Sequence, residues 1–446
     1  MCGTLFCMNY TKYLRFAVIG GLLLSLFIPF IVATGQYFPG MFFPYITGKN
    51  FAFRIIVEVL FGLYVLLAIR DPKYRPRTSW LLWAVGAFVV WMGIATFASV
   101  DPIKSFWGNF ERMDGYITVL HLFMYFLMAG AVLTAEKWWE KFFQVSVSVS
   151  VLQGIYAVSQ VLNIFGLSPS SQSGSRADGT FGNATYLAVY MLFNFFLTLF
   201  LIANTLREKN SLRTSKVILS FYGIALVVQF FGLFFTETRG TFLGLVGGLI
   251  IAAAYIVIFG RGEHKAGLVL LRRAAWSLLG VILVLVGAFF ALKDTSIVRS
   301  NSTLSRLASI SLEDKTTASR FIIWNMALEG FKEKPVLGWG QENFNYVFNK
   351  YYDPAMYGQE QWFDRAHNEF LDWLVAGGLP AFLLYISFFA LACWAIIRAK
   401  GLSVPEQAAL IGVLAAYAFN NLFVFDNLLS LMYFYLILAF VHGMSK

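Results

Sequence analysis

The stretch Phe363-Asp364-Arg365-Ala366-His367-Asn368-Glu369-Phe370-Leu371-Asp372-Trp373 brings three acids, an arginine and a histidine into eleven positions. It runs directly into an apolar segment, Leu374 to Ile397, long enough to cross a bilayer. The chain has four histidines, and this one sits among charges at the edge of an apolar run. Asp364 is an acceptable N-cap for a helix that continues into that run, which would put His367 in the first turn. There the positive end of the helix disfavours protonation and keeps the imidazole neutral, the form a general base needs. Asp364, Glu369 or Asp372 could orient the ring. The plainer reading is an interfacial histidine, hydrogen-bonded to its neighbours and taking part in no reaction.

Three arginines add a second kind of chemistry. Arg239 lies in Thr236-Glu237-Thr238-Arg239-Gly240, a short link between two apolar runs. An arginine at that depth is costly unless it meets an anion or an acid, and Glu237 is a candidate acid. Arg320 opens an amphipathic stretch with Phe321 and Trp324, where an arginine is usually just solvated. Arg365 adjoins His367. The planar fork of arginine suits phosphate oxygens, and the three together could converge on one diphosphate. No Asp-x-Asp pair and no histidine cluster with metal-ligand spacing occurs in the segments between these runs. Acids there stand singly, as at Asp101, Glu111, Asp114 and Asp178. The expected reaction therefore uses no metal and no cofactor. Trp339, Phe344, Tyr346, Tyr351, Tyr352, Tyr357, Trp362 and Phe363 are either core and interface or a surface for stacking sugar rings.

The elements that must position these groups are membrane helices. Hydrophobic residues make up 59% of the chain and charged residues 13%, against about 25% charged in a soluble domain. Twelve apolar runs span roughly 13–33, 50–69, 79–98, 115–134, 141–163, 182–204, 214–236, 240–259, 271–292, 370–397, 406–422 and 427–444. With the N-terminus in the cytoplasm, nineteen Lys and Arg fall in cytoplasmic segments and six in the short outside loops. The net charge of +10 is then mostly a topology signal, and nucleic acid is not a partner. The fold expected is an all-α integral membrane protein with both termini cytoplasmic. Residues 1–292 carry spans one to nine, 293–369 a mainly helical loop domain on the outside, and 370–446 the last three spans. Within the loop domain, helices are expected at Ala318–Phe331 and Asn343–Tyr352, with turns at Lys334-Pro335 and Gly338-Trp339-Gly340. The basic start before the first run resembles a signal peptide, but no small-residue cleavage site follows, so the run reads as a retained helix. Cys2, Cys7 and Cys393 form no spaced pair, and no disulfide is expected.

Several motifs in order resemble the O-antigen ligase family, a superfamily shared with O-antigen polymerases and protein O-oligosaccharyltransferases. They are Asp178-Gly179-Thr180-Phe181-Gly182-Asn183, Thr238-Arg239-Gly240, Ser319-Arg320 with Trp324, Gly338-Trp339-Gly340 with Phe344, and Asp364-Arg365-Ala366-His367-Asn368-Glu369 through Gly377-Gly378. The resemblance is strongest from about 175 to 385. It implies a twelve-helix, GT-C-like enzyme of the bacterial inner membrane with a periplasmic loop domain. Such an enzyme transfers a glycan from undecaprenyl diphosphate to an acceptor hydroxyl, with inversion and without a metal. By motif, His367 would be the base, Arg239 and Arg320 would hold the diphosphate, and Arg365 would help. The lipid or glycan acceptor distinguishes a ligase acting on lipid A-core, a polymerase and a protein glycosylating enzyme, and the residues do not separate these. A departure is Leu379-Pro380-Ala381 after the paired glycines, where relatives often carry Gly, Thr or Tyr. Outside this class, twelve spans also suit a lipid-linked glycan transporter, although no two-half symmetry is visible. A non-catalytic scaffold would make His367 dispensable.

Overall fold

The computed structural model describes every residue except 1, 35–42, 135, 171–172, 209–211, 261–265, 301, 309–314, 358–361 and 445–446. Among the described residues all regular structure is helical. In chain order the helices are α1 (Cys2–Ser25), α2 (Thr47–Arg70), α3 (Trp80–Phe97), α4 (Pro102–Trp107), α5 (Tyr116–Val132), α6 (Glu136–Val161), α7 (Ala184–Arg207), α8 (Leu212–Phe234), α9 (Arg239–Phe259), α10 (Ala266–Leu292), α11 (Ser296–Ser300), α12 (Ser302–Ala308), α13 (Lys315–Glu333), α14 (Phe344–Lys350), α15 (Glu369–Arg398), α16 (Val404–Asn421) and α17 (Leu428–Met444). Each of the twelve apolar runs falls on one of the long helices α1–α3, α5–α10 or α15–α17. Among the described residues, eight of these are long and apolar enough to cross a membrane, and α5 and α17 are apolar but shorter. The chain is an integral membrane protein.

One local expectation shifts and another holds. The first helix ends at Ser25, short of residue 33, because Pro29 has no N–H to continue the ladder; Ile28–Phe30 is a 3-10 turn instead. In the long segment, α13 and α14 stand where helices were expected.

The chain forms two compact units: Met1–Val149 with Ile323–Ala395 and Phe425–Lys446, and Ser150–Ile322 with Ile396–Val424. In the second, α9 and α16 pack closely because their facing positions are small. A Cβ on Gly248 would lie 2.6 Å from the carbonyl oxygen of Gly412, and one on Gly244 2.7 Å from that of Ala416. Hydrocarbon supplies no hydrophobic force between helices, so close backbone contact and side-chain hydrogen bonds hold such a pair. The Thr241 hydroxyl accordingly donates to Asn420 Oδ1 (2.7 Å), and the Tyr255 hydroxyl to Gln407 Oε1 (3.0 Å).

In the first unit α15 is broken rather than continuous. Gly377 (φ −130°, ψ 16°) and Gly378 (φ 67°, ψ −169°) leave helical geometry. Pro380 follows and has no N–H to give the carbonyl of Ala376. Three carbonyls at the break find donors elsewhere. Trp339 N–H donates to Val375 O (2.8 Å), Gly340 N–H to Ala376 O (2.9 Å) and the Trp91 indole to Gly377 O (2.7 Å). In return Leu379 N–H donates to Pro335 O (2.8 Å). A backbone break inside a membrane helix survives only with such compensation. The glycine–tryptophan–glycine turn and the paired glycines are thus two halves of one joint.

That joint tolerates no side chain at Gly378, where a Cβ would meet Val336 O at 2.2 Å and the residue's φ is positive. Gly378→Ala is expected to cost about 3 kcal/mol or more. The melting temperature of the detergent-purified protein measures it, with Gly247→Ala as control because nothing lies within 4 Å of a Cβ there. Equal melting of the two variants would mean that the joint yields freely.

Candidate active site

In the first unit, the chain between residue 362 and α15 holds His367 in a left-handed conformation, φ 54°. A histidine tolerates that region better than most residues, yet it is uncommon and costs energy. The helix cap is Asn368, whose side chain accepts from the N–H groups of Phe370 (3.0 Å) and Leu371 (3.2 Å). This corrects the expected Asp364 cap, and it places His367 just before the helix rather than in its first turn. Asp364 is drawn elsewhere, to Arg112 and Asn109 of the α4–α5 link.

His367 Nδ1 is 3.3 Å from the carbonyl of Arg365. A carbonyl only accepts, so Nδ1 carries the proton, and in the neutral ring Nε2 bears the lone pair. The ring stands edge-to-face against Phe363 (centroids 5.1 Å apart) and Phe425 (5.0 Å). The Trp324 indole donates to the carbonyl of Ala366 at 3.1 Å, and the Ala366 N–H donates to Asp372 Oδ1 at 2.7 Å. Glu369 accepts from the N–H of Asp426 at 2.7 Å. The three acids proposed as ring partners therefore bind Arg112, Asn109 and two backbone amides, and they fix the loop that carries the ring.

Around this loop lies a buried charge network. Arg112 pairs with Asp364 and, at 3.4 Å, with Glu111, and its guanidinium is 4.7 Å from the centroid of Phe425. Arg365 is buried and paired with buried Glu342. Burial alone would raise the Asp364 carboxyl, but Arg112 and Arg365 outweigh it and hold it below the usual range. Burial disfavours the charge of Arg365, yet Glu342 and Asp372 more than restore it. Asp114 is fully enclosed. Its burial, with Glu342 nearby, pushes its carboxyl up to about 7 against the pull of Arg365, Arg112 and Arg54. The supporting frame is polar. Asn50 and Arg54 of α2 donate to the carbonyls of Arg112 and Met113, and Gln341 donates to the carbonyl of Asp114 (2.6 Å). Glu342 and Met113, like His367, have positive φ.

The aromatic set divides. Trp339, Phe344 and Phe363 are buried, and the Trp339 indole donates to Gly330 O at 2.8 Å. Tyr346, Tyr352, Tyr357 and Trp362 are exposed, joined by half-buried Tyr351, whose hydroxyl donates to Glu333. The first group is core, and only the second could stack sugar rings.

In the second unit, Arg239 is the first residue of α9 and half-buried. The preceding turn is tight: Glu237 has φ 52°, and the Thr236 hydroxyl donates back to Leu233 O (2.6 Å). Glu237 pairs with Arg306 of α12 at 3.4 Å. Arg320 is half-buried in α13.

Sequence reading missed Arg112 and Glu342 as parts of the site. A faint signal existed, since Asn109-Phe110-Glu111-Arg112-Met113-Asp114 puts three charges between two apolar runs.

No curated protein matches the chain. A family model described as O-antigen ligase matches residues 224–386. The matched segment contains Arg239, Arg320, Arg365 and His367. Over residues 224–386 this membrane protein is similar to the O-antigen ligase family.

Proposed function

We propose that the protein is an O-antigen ligase-like glycosyltransferase of the bacterial inner membrane. In this reading it moves a glycan from undecaprenyl diphosphate to a hydroxyl of lipid A-core, with inversion and without a metal or other cofactor. The observation that carries the reading is His367, inside the matched segment, with Nδ1 donating to a carbonyl and Nε2 bearing the lone pair. The acceptor oxygen attacks the anomeric carbon as its proton passes to Nε2. The bond from that carbon to the phosphate oxygen breaks, and its electron pair leaves with the polyprenyl diphosphate. A base on one side and fixed positive charge on the other are what such a step needs. Arg239 and Arg320 hold the diphosphate. Arg365 comes third in that set, because Glu342 already engages its fork. The arrangement is GT-C-like, with spans at 1–292 and 370–446, both termini cytoplasmic and residues 293–369 forming a periplasmic domain.

The test is a reconstituted assay with an undecaprenyl-diphosphate-linked glycan, candidate acceptors and a chelator. Transfer to lipid A-core supports a ligase. Growth of carrier-linked chains would make the enzyme a polymerase, and transfer to a polypeptide hydroxyl a protein O-oligosaccharyltransferase. Movement of the lipid-linked glycan across the bilayer without any product would make it a transporter. In the same assay Arg239→Lys should lower transfer by about 10- to 100-fold, since a point charge cannot reproduce the two-pronged contact. Normal turnover with Lys would remove that contact from the mechanism.

A further inference from the structure

Arg176 comes from the serine- and glycine-rich loop before α7, which the proposed reaction leaves unused. Its loop is pegged by Asp178, which is fully buried and accepts from the Gln160 amide (3.0 Å) and the Ser170 N–H (3.0 Å). Ala177 N–H donates to Phe235 O at 3.0 Å, joining the loop to the end of α8. Arg176 then reaches the turn that carries Arg239: Nε donates to Thr236 O (2.7 Å) and Nη2 to the Thr238 hydroxyl (3.0 Å). Nη1 makes no hydrogen bond among the described residues. Two bonds thus fix the guanidinium plane and leave one edge of the fork uncommitted. Burial lowers its proton affinity first; nearby Arg306 and Arg239 lower it further, while Glu237 opposes them. Three of these four charged side chains are cations, and Arg176 is fixed on the turn that carries Arg239. Such a set fits an anion carrying more than one negative charge.

We propose that Arg176 is a further substrate-binding residue that joins Arg239 on a polyprenyl diphosphate and gives the site its preference for diphosphate over monophosphate. This rests on the reading of Arg239 as a diphosphate ligand. The side chain is placed before the ligand arrives, so little ordering is required on binding.

The experiment measures binding of farnesyl diphosphate and farnesyl monophosphate to the full-length protein in detergent. Wild type should prefer the diphosphate by at least about tenfold. Arg176→Gln should lose about tenfold or more for the diphosphate and change monophosphate affinity by less than about twofold. Arg176→Lys, which keeps the charge but not the fork, should fall several-fold for the diphosphate alone, and it serves if the glutamine variant does not fold. Unchanged diphosphate binding in the Arg176 variants, with loss in Arg239→Gln, would overturn the role of Arg176 and leave the donor reading standing. Equal binding of both ligands by wild type, or full diphosphate binding by Arg239→Gln, would overturn the donor reading itself.

Discussion

His367→Asn is expected to reduce glycan transfer by about 10²- to 10⁴-fold, the usual contribution of a positioned base. Asparagine is the informative replacement. It tolerates the left-handed backbone that residue 367 adopts, whereas alanine would add strain unrelated to chemistry. It can also still donate to the Arg365 carbonyl, the bond made by Nδ1. What it lacks is a nitrogen lone pair able to take the acceptor's proton. The variant should extract and melt like wild type, because Asp372, Glu369 and Trp324 hold the surrounding loop through other atoms. Binding of the lipid-linked donor should be unchanged, so the loss falls on turnover and not on donor affinity. Transfer within about threefold of wild type, at equal protein and equal donor, would show that His367 is not the base.

The helices were legible because an apolar run of about 20 residues is a strong, local signal. All twelve runs became long helices, even where buried polar residues interrupt the pattern, as at Glu406, Gln407, Asn420 and Asn421 of α16. The histidine, too, stood out by its rarity and its charged setting. What misled was the cap. Asp364 and Asn368 are both good capping residues, four positions apart, and local rules do not choose between them. The choice is made by Arg112, 252 residues earlier, which takes Asp364 into an ion pair and leaves Asn368 for the helix. Pairing over that distance has no sequence period to betray it. The break at Gly377-Gly378 was half legible. The glycines and Pro380 were visible, but Trp339 and Gly340 as donors to the opened helix were not. Arg176 follows the same pattern: its loop stands out in the sequence only by its serine and glycine content, while buried Asp178 shows that it is pinned.

The pair Arg365–Glu342 should behave as a unit. Glu342 is fully enclosed and Arg365 nearly so. Removing one partner strands a charge where water cannot reach it, which typically costs about 3–5 kcal/mol. Arg365→Met and Glu342→Met are each expected to lower stability by that amount. The double variant replaces both charges with apolar groups of similar size and should recover most of the loss. Melting of the four proteins closes this cycle. Transfer by the double variant then weighs the two roles of Arg365. A guanidinium neutralised by an adjacent carboxylate projects little field, so the double variant should keep transfer within about fivefold of wild type. A stable double variant with transfer down by about 100-fold would instead put the charge of Arg365 on the departing diphosphate. Double and single variants melting equally low would mean that the pair is not the contact that orders the loop. His367 would then owe its placement to Asp364–Arg112 and to the Asn368 cap.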